Sequence, residues 1–280
     1  MHTQTGSTAS GSGTTSVDET DDDVGIVIPA YRPDVGQLCA YIVSLESALD
    51  PAVIRVELDA PTDRETVRRI EATGATVNES PSRRGKGRAI TAGFEALPAD
   101  LSAYCFLDAD GSTPPMSAAK VIRAVQVGHA SLAVGSRRHP DATVTTHQTV
   151  LRRFLGDAFA SIARLLLPIS LHDYQCGAKA ITPAGWDRVR SLLYEDGFGW
   201  DLELVAMAAA AGLKIEEVPI EWEDRPGSSV DLRTTVPDLL RTVIVVRHRA
   251  KAIRGNRLHS RLFPPRSPAL VEDLRGDSEA

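Results

Sequence analysis

Residues 105–112 read CFLDADGS, and the fold class follows from how that stretch is taken. Tyr104 to Leu107 form an apolar run that ends at two carboxylates, Asp108 and Asp110, and then at Gly111, Thr113, Pro114 and Pro115. An apolar run closed by Gly and Pro is the pattern of a buried strand. Carboxylates at the carboxyl end of such a strand sit where open α/β sheets bind ligands. Two Asp one residue apart on a turning backbone can face one hard cation, which takes oxygen ligands. The same residues also fit a solvated turn after an edge strand, so the neighbouring segments decide.

Upstream, Val24 to Ala30 (VGIVIPA) is a β-branched run, the pattern of a buried parallel strand. Val35, Leu38, Ile42, Leu45 and Leu49 then recur at helical spacing. Val53 to Leu58 reads as a second strand, Thr66 to Ala72 as a helix, Ala75 to Val77 as a short strand and Ala89 to Leu97 as a helix. Downstream come a helix over Met116 to Val127 and a strand over Ser131 to Val134. Strand and helix alternate, which predicts an α/β domain with a mainly parallel sheet.

Composition narrows the class. The chain has 280 residues, enough for one large domain, and 42% of them are apolar, enough for a core. Acids outnumber bases, 37 to 31, for a net charge of −6. The lysines are at 86, 120, 179, 214 and 251, and the other bases are Arg. This balance disfavours nonspecific nucleic-acid binding and is compatible with a salt-adapted cytoplasm. Cys39, Cys105 and Cys176 are far apart, which fits neither a disulfide framework nor a zinc site, and suits a reducing compartment. The His show no HxH or HExxH spacing. Residues 1–23 are Ser/Thr/Gly-rich and then acidic, which predicts a tail without structure rather than a signal peptide. No run of eighteen apolar residues occurs, so no transmembrane helix is expected.

Several segments carry chemistry, each with a plainer alternative. Ser82 to Arg88 (SRRGKGR) is a basic, Gly-rich loop that can bring N–H groups and an ammonium to a phosphate, or can be a solvated charge run. It is neither a P-loop nor a dinucleotide fingerprint. Arg137 follows the next strand and can bridge to phosphate. Leu151 to Leu167 has a wide apolar stripe that can pack on the sheet or lie in a membrane interface. Asp173 and Gln175 precede a Gly and a further strand. Asp201 and Glu203 open a helix, where acids suit the dipole and can also face an acceptor. Lys214 to Ile220 reads as a strand. Pro237 to Ile253 is helical and runs into Arg247, Arg249, Lys251, Arg254, Arg257 and Arg261, which suits an anionic membrane surface or a docked helix with a basic end. Residues 264–280, Pro-rich and then acidic, read as a second tail.

Taken together, these pieces resemble the family-2 inverting glycosyltransferases of the GT-A fold. IPAYRP (28–33) resembles the family's nucleotide-binding IPAYNE, LDAPTDRE (58–65) its VDDGSTD segment, RRGKGRAI (83–90) its K-G-x-A loop, and DADGST (108–113) its DxD metal motif. DYQCGAKAIT (173–182) is close to the DTQCGFK of dolichyl-phosphate β-glucosyltransferases, and EVPIEWEDRPGSSV (217–230) to their EVPVNW…GSK. The resemblance covers residues 24 to 254. It implies a Rossmann-like, mostly parallel sheet flanked by helices, with amphipathic helices at the C-terminus. The implied parts are a tail over 1–23, a GT-A domain over 24–230 with an acceptor-side helix at 149–167, a basic membrane-associating helical segment over 231–261, and a tail over 262–280.

The resemblance also implies a UDP-hexose donor, a dolichyl or polyprenyl phosphate acceptor and Mg²⁺ or Mn²⁺ on Asp108 and Asp110. Donor contacts fall on Pro29, Ala30, Tyr31, Asp34, Asp59, Lys86, Gly87, Asp108, Arg137, Gln175, Arg225 and Ser228. Asp201 is the position that orients or activates the nucleophile. Arg32-Pro33 stands where the family has an acid, with Asp34 beside it, and Ala60 stands where it has a second Asp. The implied setting is cytoplasmic, in peripheral contact with the inner face of the cell membrane, with no nucleic-acid partner, and the implied role is lipid-linked glycan assembly for protein N-glycosylation. A GDP-mannose-dependent lipid-phosphate synthase is the nearest alternative. A sugar-1-phosphate nucleotidyltransferase would need a GxGxR loop after the first strand, which Ile28-Pro29-Ala30-Tyr31 is not. A noncatalytic binding protein would not need the DxD and the basic loop, and both are present.

Overall fold

β1 (Val24–Tyr31) is apolar on both faces and takes a central place in the sheet. Such a strand needs cover on both sides, which a helical layer on each face supplies. The computed structural model describes residues 24–61, 63–145, 159–223, 232–256, 259 and 268–279. The first half alternates regularly: α1 (Val35–Leu49), β2 (Val53–Asp59), α2 (Arg64–Glu71), β3 (Thr76–Ser80), α3 (Lys86–Glu95), β4 (Ala103–Leu107), α4 (Pro115–Gln126) and β5 (Leu132–Ser136). Then follow β6 (Thr143–Val144), α5 (helical over the described 159–166), β7 (Ala178–Ile181), α6 (Pro183–Val189) and α7 (Trp200–Ala210). β8 (Ile215–Pro219), β9 (Glu221–Trp222), α8 (Leu232–Ile253) and α9 (Leu270–Glu279) complete the chain.

Seven strands form one sheet in the order β3-β2-β1-β4-β7-β5-β8. Every neighbouring pair is parallel except those of β7, which runs antiparallel to both β4 and β5. β6 and β9 make a separate parallel pair. The sheet is mostly parallel, as the alternation predicts. Period-two packing divides the core. Val27, Tyr104, Phe106, Val134 and Ile181 point to one face, covered by α3 and α5 to α9. Ile26, Ile28, Cys105, Leu107 and Ala180 point to the other, covered by α1, α2 and α4.

Two expectations are corrected. Helix α3 begins at Lys86, not Ala89, so Lys86, Gly87 and Arg88 are its first turn and not part of a loop. Residues 270–279 are a helix and not a tail: Ala269, Leu270 and Val271 are buried, the Leu270 N–H donates to Leu193 O at 2.9 Å, and Arg88 pairs with Asp273. The acidic composition reads as tail because α9 buries only this short stretch at its start. α8 docks on α7 through Leu239, Val243, Val246 and Ala250, while Ile244 and Ile253 stay exposed. Among the described residues no helix is long and apolar enough to cross a membrane. The tail expected over 1–23, the first part of the helix expected over 149–167 and the segment 262–267 lie outside the described residues.

Candidate active site

β4 ends at Leu107, and Asp108 leaves it at the carboxyl edge of the sheet. The Asp108 N–H donates to Gly177 O at 2.9 Å. Gly177 lies against the Asp108 carboxylate, where any Cβ would collide with it, so only glycine fits. Lys86 Nζ lies 2.9 Å from Asp108 Oδ1 and 2.9 Å from Asp201 Oδ2. Lys179 Nζ approaches Asp201 from the other side, 2.6 Å from Oδ1, and donates to Cys176 O at 2.7 Å. Both ammonium groups also lie over the Phe106 ring, 5.2 and 5.4 Å from its centroid. The result is a row of alternating charge: Asp108, Lys86, Asp201, Lys179.

Buried charges persist only when their lone pairs and protons are engaged. Asp201 meets this condition, with one lysine on each oxygen. It also sits in the first turn of α7, where the helix dipole favours an anion. Burial works to raise its carboxyl, but Lys179 and Lys86 outweigh burial and hold it below the ordinary carboxylate range. For Lys86 burial opposes the charge, and the two aspartates more than offset it, so the ammonium is held above its ordinary value.

Asp110 turns at the rim. Its Oδ1 accepts from the Ser112 N–H at 2.9 Å, and its backbone oxygen accepts from Gln37 Nε2. The residue is exposed, yet its carboxyl is crowded: desolvation first, then the Asp108 charge, raise it above the ordinary value. The pair offers only oxygen donors, and of the two only Asp108 is ion-paired among the described residues, which fits a hard dication. Among the described residues no group of three His, Cys, Asp or Glu could enclose an ion. An ion on Asp110 and Asp108 would therefore complete its sphere with water and substrate oxygens, as Mg²⁺ commonly does.

Beside this row, Tyr31 and Asp59 end β1 and β2 as register partners. The Tyr31 ring is exposed and lies under the Arg83 guanidinium, 4.4 Å from its centroid, with Arg32 at 5.3 Å. The chain leaves both strands through positive φ at non-glycine residues, +47° at Arg32 and +48° at Ala60. Such backbone is uncommon and clusters at functional sites. Pro29 and Ala30 lie within β1. Asp34 caps α1, accepting from the Gln37 N–H at 3.0 Å.

Asp59 is not a free acid. It accepts from the Arg84 N–H at 2.7 Å, Arg84 Nε at 2.7 Å and the Gly85 N–H at 3.2 Å. Arg84 also reaches Glu57, which is fully buried and held by Arg55 and Asn78. The two acids of β2 thus pin the basic loop to the sheet. Gly85 and Gly87 are required for a different approach from the one expected. They meet the backbone of 195–197: the Gly87 N–H donates to Asp196 O at 2.8 Å, and a Cβ on either would strike that segment.

Arg137 is also engaged. It grips Asp173 bidentately, Nε to Oδ2 at 2.7 Å and Nη2 to Oδ1 at 3.1 Å, and lies over Trp222. The Gln175 N–H donates to the same carboxylate at 3.0 Å. Glu217, from β8, accepts from the His172 and Asp173 N–H groups. Arg225 and Ser228 lie outside the described residues. Sequence reasoning missed Lys179, Glu57 and Arg84. Lys179 did leave a signal, a lone charge inside the strand AKAI.

Residues 56–182 match the family model described as Glycosyl transferase family 2. The glycosyltransferase AglD of Haloferax volcanii is 29% identical over 219 residues, which are 75% of this chain and 34% of that protein. The dolichyl-phosphate beta-glucosyltransferase of Saccharomyces cerevisiae is 27% identical over 175 residues, 59% of this chain and 52% of that one. The undecaprenyl-phosphate mannosyltransferase of Micrococcus luteus is 27% identical over 208 residues, 71% and 83% of the two chains. The match thus spans a third of AglD and about half of the yeast protein. Glucosyl-3-phosphoglycerate synthase of Mycobacterium tuberculosis, solved with Mn²⁺, UDP-glucose and phosphoglyceric acid, shares the fold at a TM-score of 0.58 and 17% identity, over 84% of this chain and 80% of that one. With its mostly parallel sheet and its acids at the carboxyl edge, this chain has the GT-A fold, and its residues 56–182 match the family-2 glycosyltransferases.

Proposed function

We propose that the protein transfers a hexose, glucose in the first instance, from a UDP-sugar to the phosphate of a dolichyl or polyprenyl lipid, with inversion at the anomeric carbon. The observation that carries this reading is Lys86 standing between Asp108 and Asp201 at the carboxyl edge of the sheet. It puts a cation beside the DxD acids, where a sugar diphosphate leaving group needs one. The names of the yeast and Micrococcus relatives support a lipid-phosphate acceptor.

Uridine is assigned to Tyr31 and Pro29, next to the loop that Asp59 holds. Mg²⁺ or Mn²⁺ held by Asp110 and Asp108 would neutralise charge on the departing diphosphate. Lys86 adds a second positive charge there. The acceptor phosphate is largely ionised at neutral pH, so its oxygen needs no strong base. Asp201, with both oxygens bound by lysines, serves to orient Lys86 and the nucleophile. The C1–O bond to UDP breaks as C1 bonds to the acceptor oxygen from the opposite face, and UDP leaves with the bonding pair. Contact with the inner face of the cell membrane is assigned to α8 and its basic end, and the biological role to lipid-linked glycan assembly.

The test is a panel of UDP-glucose, UDP-galactose, UDP-N-acetylglucosamine and GDP-mannose, each labelled in the sugar, with dolichyl phosphate and Mn²⁺. Label is expected in the extracted lipid with UDP-glucose, and Asp110→Ala should reduce it at least ~100-fold, the scale of losing a principal charge stabiliser. Label from GDP-mannose alone, which the Micrococcus relative makes the second reading, would overturn the choice of donor. Full activity of Asp110→Ala would remove the metal from the scheme.

A further inference from the structure

We propose that Lys179 is a positioning residue for the transfer: from inside the sheet it fixes Asp201, and through Asp201 it sets Lys86 in place for the donor diphosphate. The inference rests on the glycosyl-transfer reading above and adds to it a residue that touches no substrate.

Lys179 lies in the middle of the four-residue strand β7, with Phe106 on one side and Val134 on the other as register partners. This is the interior of the sheet, and the side chain is 1% exposed. A charge there opposes folding unless it is paired, and an apolar residue would fill the position at no such cost. Its ammonium is spent on Asp201 Oδ1 and Cys176 O, at 2.6 and 2.7 Å. That leaves Asp201 Oδ2 facing Lys86.

Side-chain exposure rises steadily along the row. It is 1% at Lys179, 2% at Asp201, 12% at Lys86 and 39% at Asp108. The row therefore runs from the sheet interior to the open rim, and Lys86 is its outermost cation. Asp108, Lys86's other partner, is one of the two acids assigned to the metal. Once that acid engages the ion, Lys86 keeps its place only if Asp201 does. Asp201 has two oxygens and would rotate about its terminal bond with a single partner. The second lysine removes that freedom, and the close hold of Lys179 by Cys176 O and the Phe106 ring removes its own. The remaining buried acid of α7, Glu203, serves elsewhere, accepting from the Tyr194 and Glu195 N–H groups and pairing with Arg249.

A double-mutant cycle on the full chain tests this. The readout is affinity for UDP with Mn²⁺, and for GDP with Mn²⁺, by calorimetry, on wild type, Lys179→Met, Lys86→Met and the double variant. Lys179→Met is expected to weaken binding by about tenfold, or ~1.4 kcal/mol. Lys86→Met should weaken it at least as much, and the double variant no more than Lys86→Met alone, because one effect passes through the other. Lys179→Arg, which keeps the cation, should recover most of the loss. Wild-type affinity in Lys179→Met, or losses that add in the double variant, would overturn the proposal. If circular dichroism shows Lys179→Met unfolded, Asp201→Asn breaks the same link: a tenfold loss that vanishes in the Lys86→Met background supports the proposal, and unchanged binding overturns it. A wild type that binds UDP with Mn²⁺ but labels no lipid refutes the acceptor reading and leaves Lys179's role standing. A wild type that binds neither nucleotide overturns both.

Discussion

Asp173 shows at the scale of one residue how this protein uses buried charge. Burial alone would raise its carboxyl, but Arg137 beside it, with Arg138 and the Gln175 N–H, brings it down to about 2 from an ordinary 3.8. The folded value is depressed, so the pair stabilises the fold fully above pH ~4, and that stability is lost as pH falls from there toward ~2. The contribution is on the order of 2 kcal/mol. Urea unfolding between pH 5 and 2 should show this loss in wild type, while Asp173→Asn should be less stable at pH 7 by about 3–5 kcal/mol and less dependent on pH in the acid range. A slope unchanged by the substitution would refute the assignment. The same residue marks the limit of the sequence. Arg137 was legible as a cation past a strand, but its partner is 36 positions away and on no shared motif. Asp59 was legible as an acid at the end of a strand, and its burial under Arg84 was not. The DxD pair, Lys86 and Asp201 were legible as candidates through the motifs they share with the family, and the structure brings Asp108, Lys86 and Asp201 into contact.

Among the elements, α9 contributes most from least. Its buried start rests on Leu193 and its Asp273 pairs with Arg88 in the first turn of α3, two residues beyond Lys86. A segment at the far end of the chain thus braces the helix that carries the outermost cation of the site. Leu270 is nearly fully buried, so Leu270→Ala should cost ~2–5 kcal/mol and lower the melting temperature by roughly 2–4 °C for each kcal/mol. Thermal circular dichroism measures this, and an unchanged midpoint would mean that α9 does not dock in solution. Helix α1 was readable because its apolar positions recur over several turns, and α2 to α4 because they alternate with apolar strands. α9 was not, since one buried stretch gives no period.

At the scale of the whole molecule, two cores lie on opposite faces of one sheet and share its strands, residue by residue. Neither face can lose its packing without unseating the other. Heating should therefore give one transition, with near- and far-ultraviolet circular dichroism coinciding, and two separated transitions would contradict a single cooperative unit. Alternation along the sequence was enough to read the mostly parallel sheet. The direction of β7 was not readable, because four residues carry no sign of which way they run. That strand has a further consequence for synthesis. β5 leaves the ribosome before β7, yet β7 lies between β5 and β4. Until residues 178–181 emerge, β5 has no strand to join it to β4, and the strand that joins them brings Lys179 with it. The charge row is complete only later, when Asp201 follows 22 residues after Lys179, so a partly made chain that has β7 in place still lacks the carboxylate that seats Lys86.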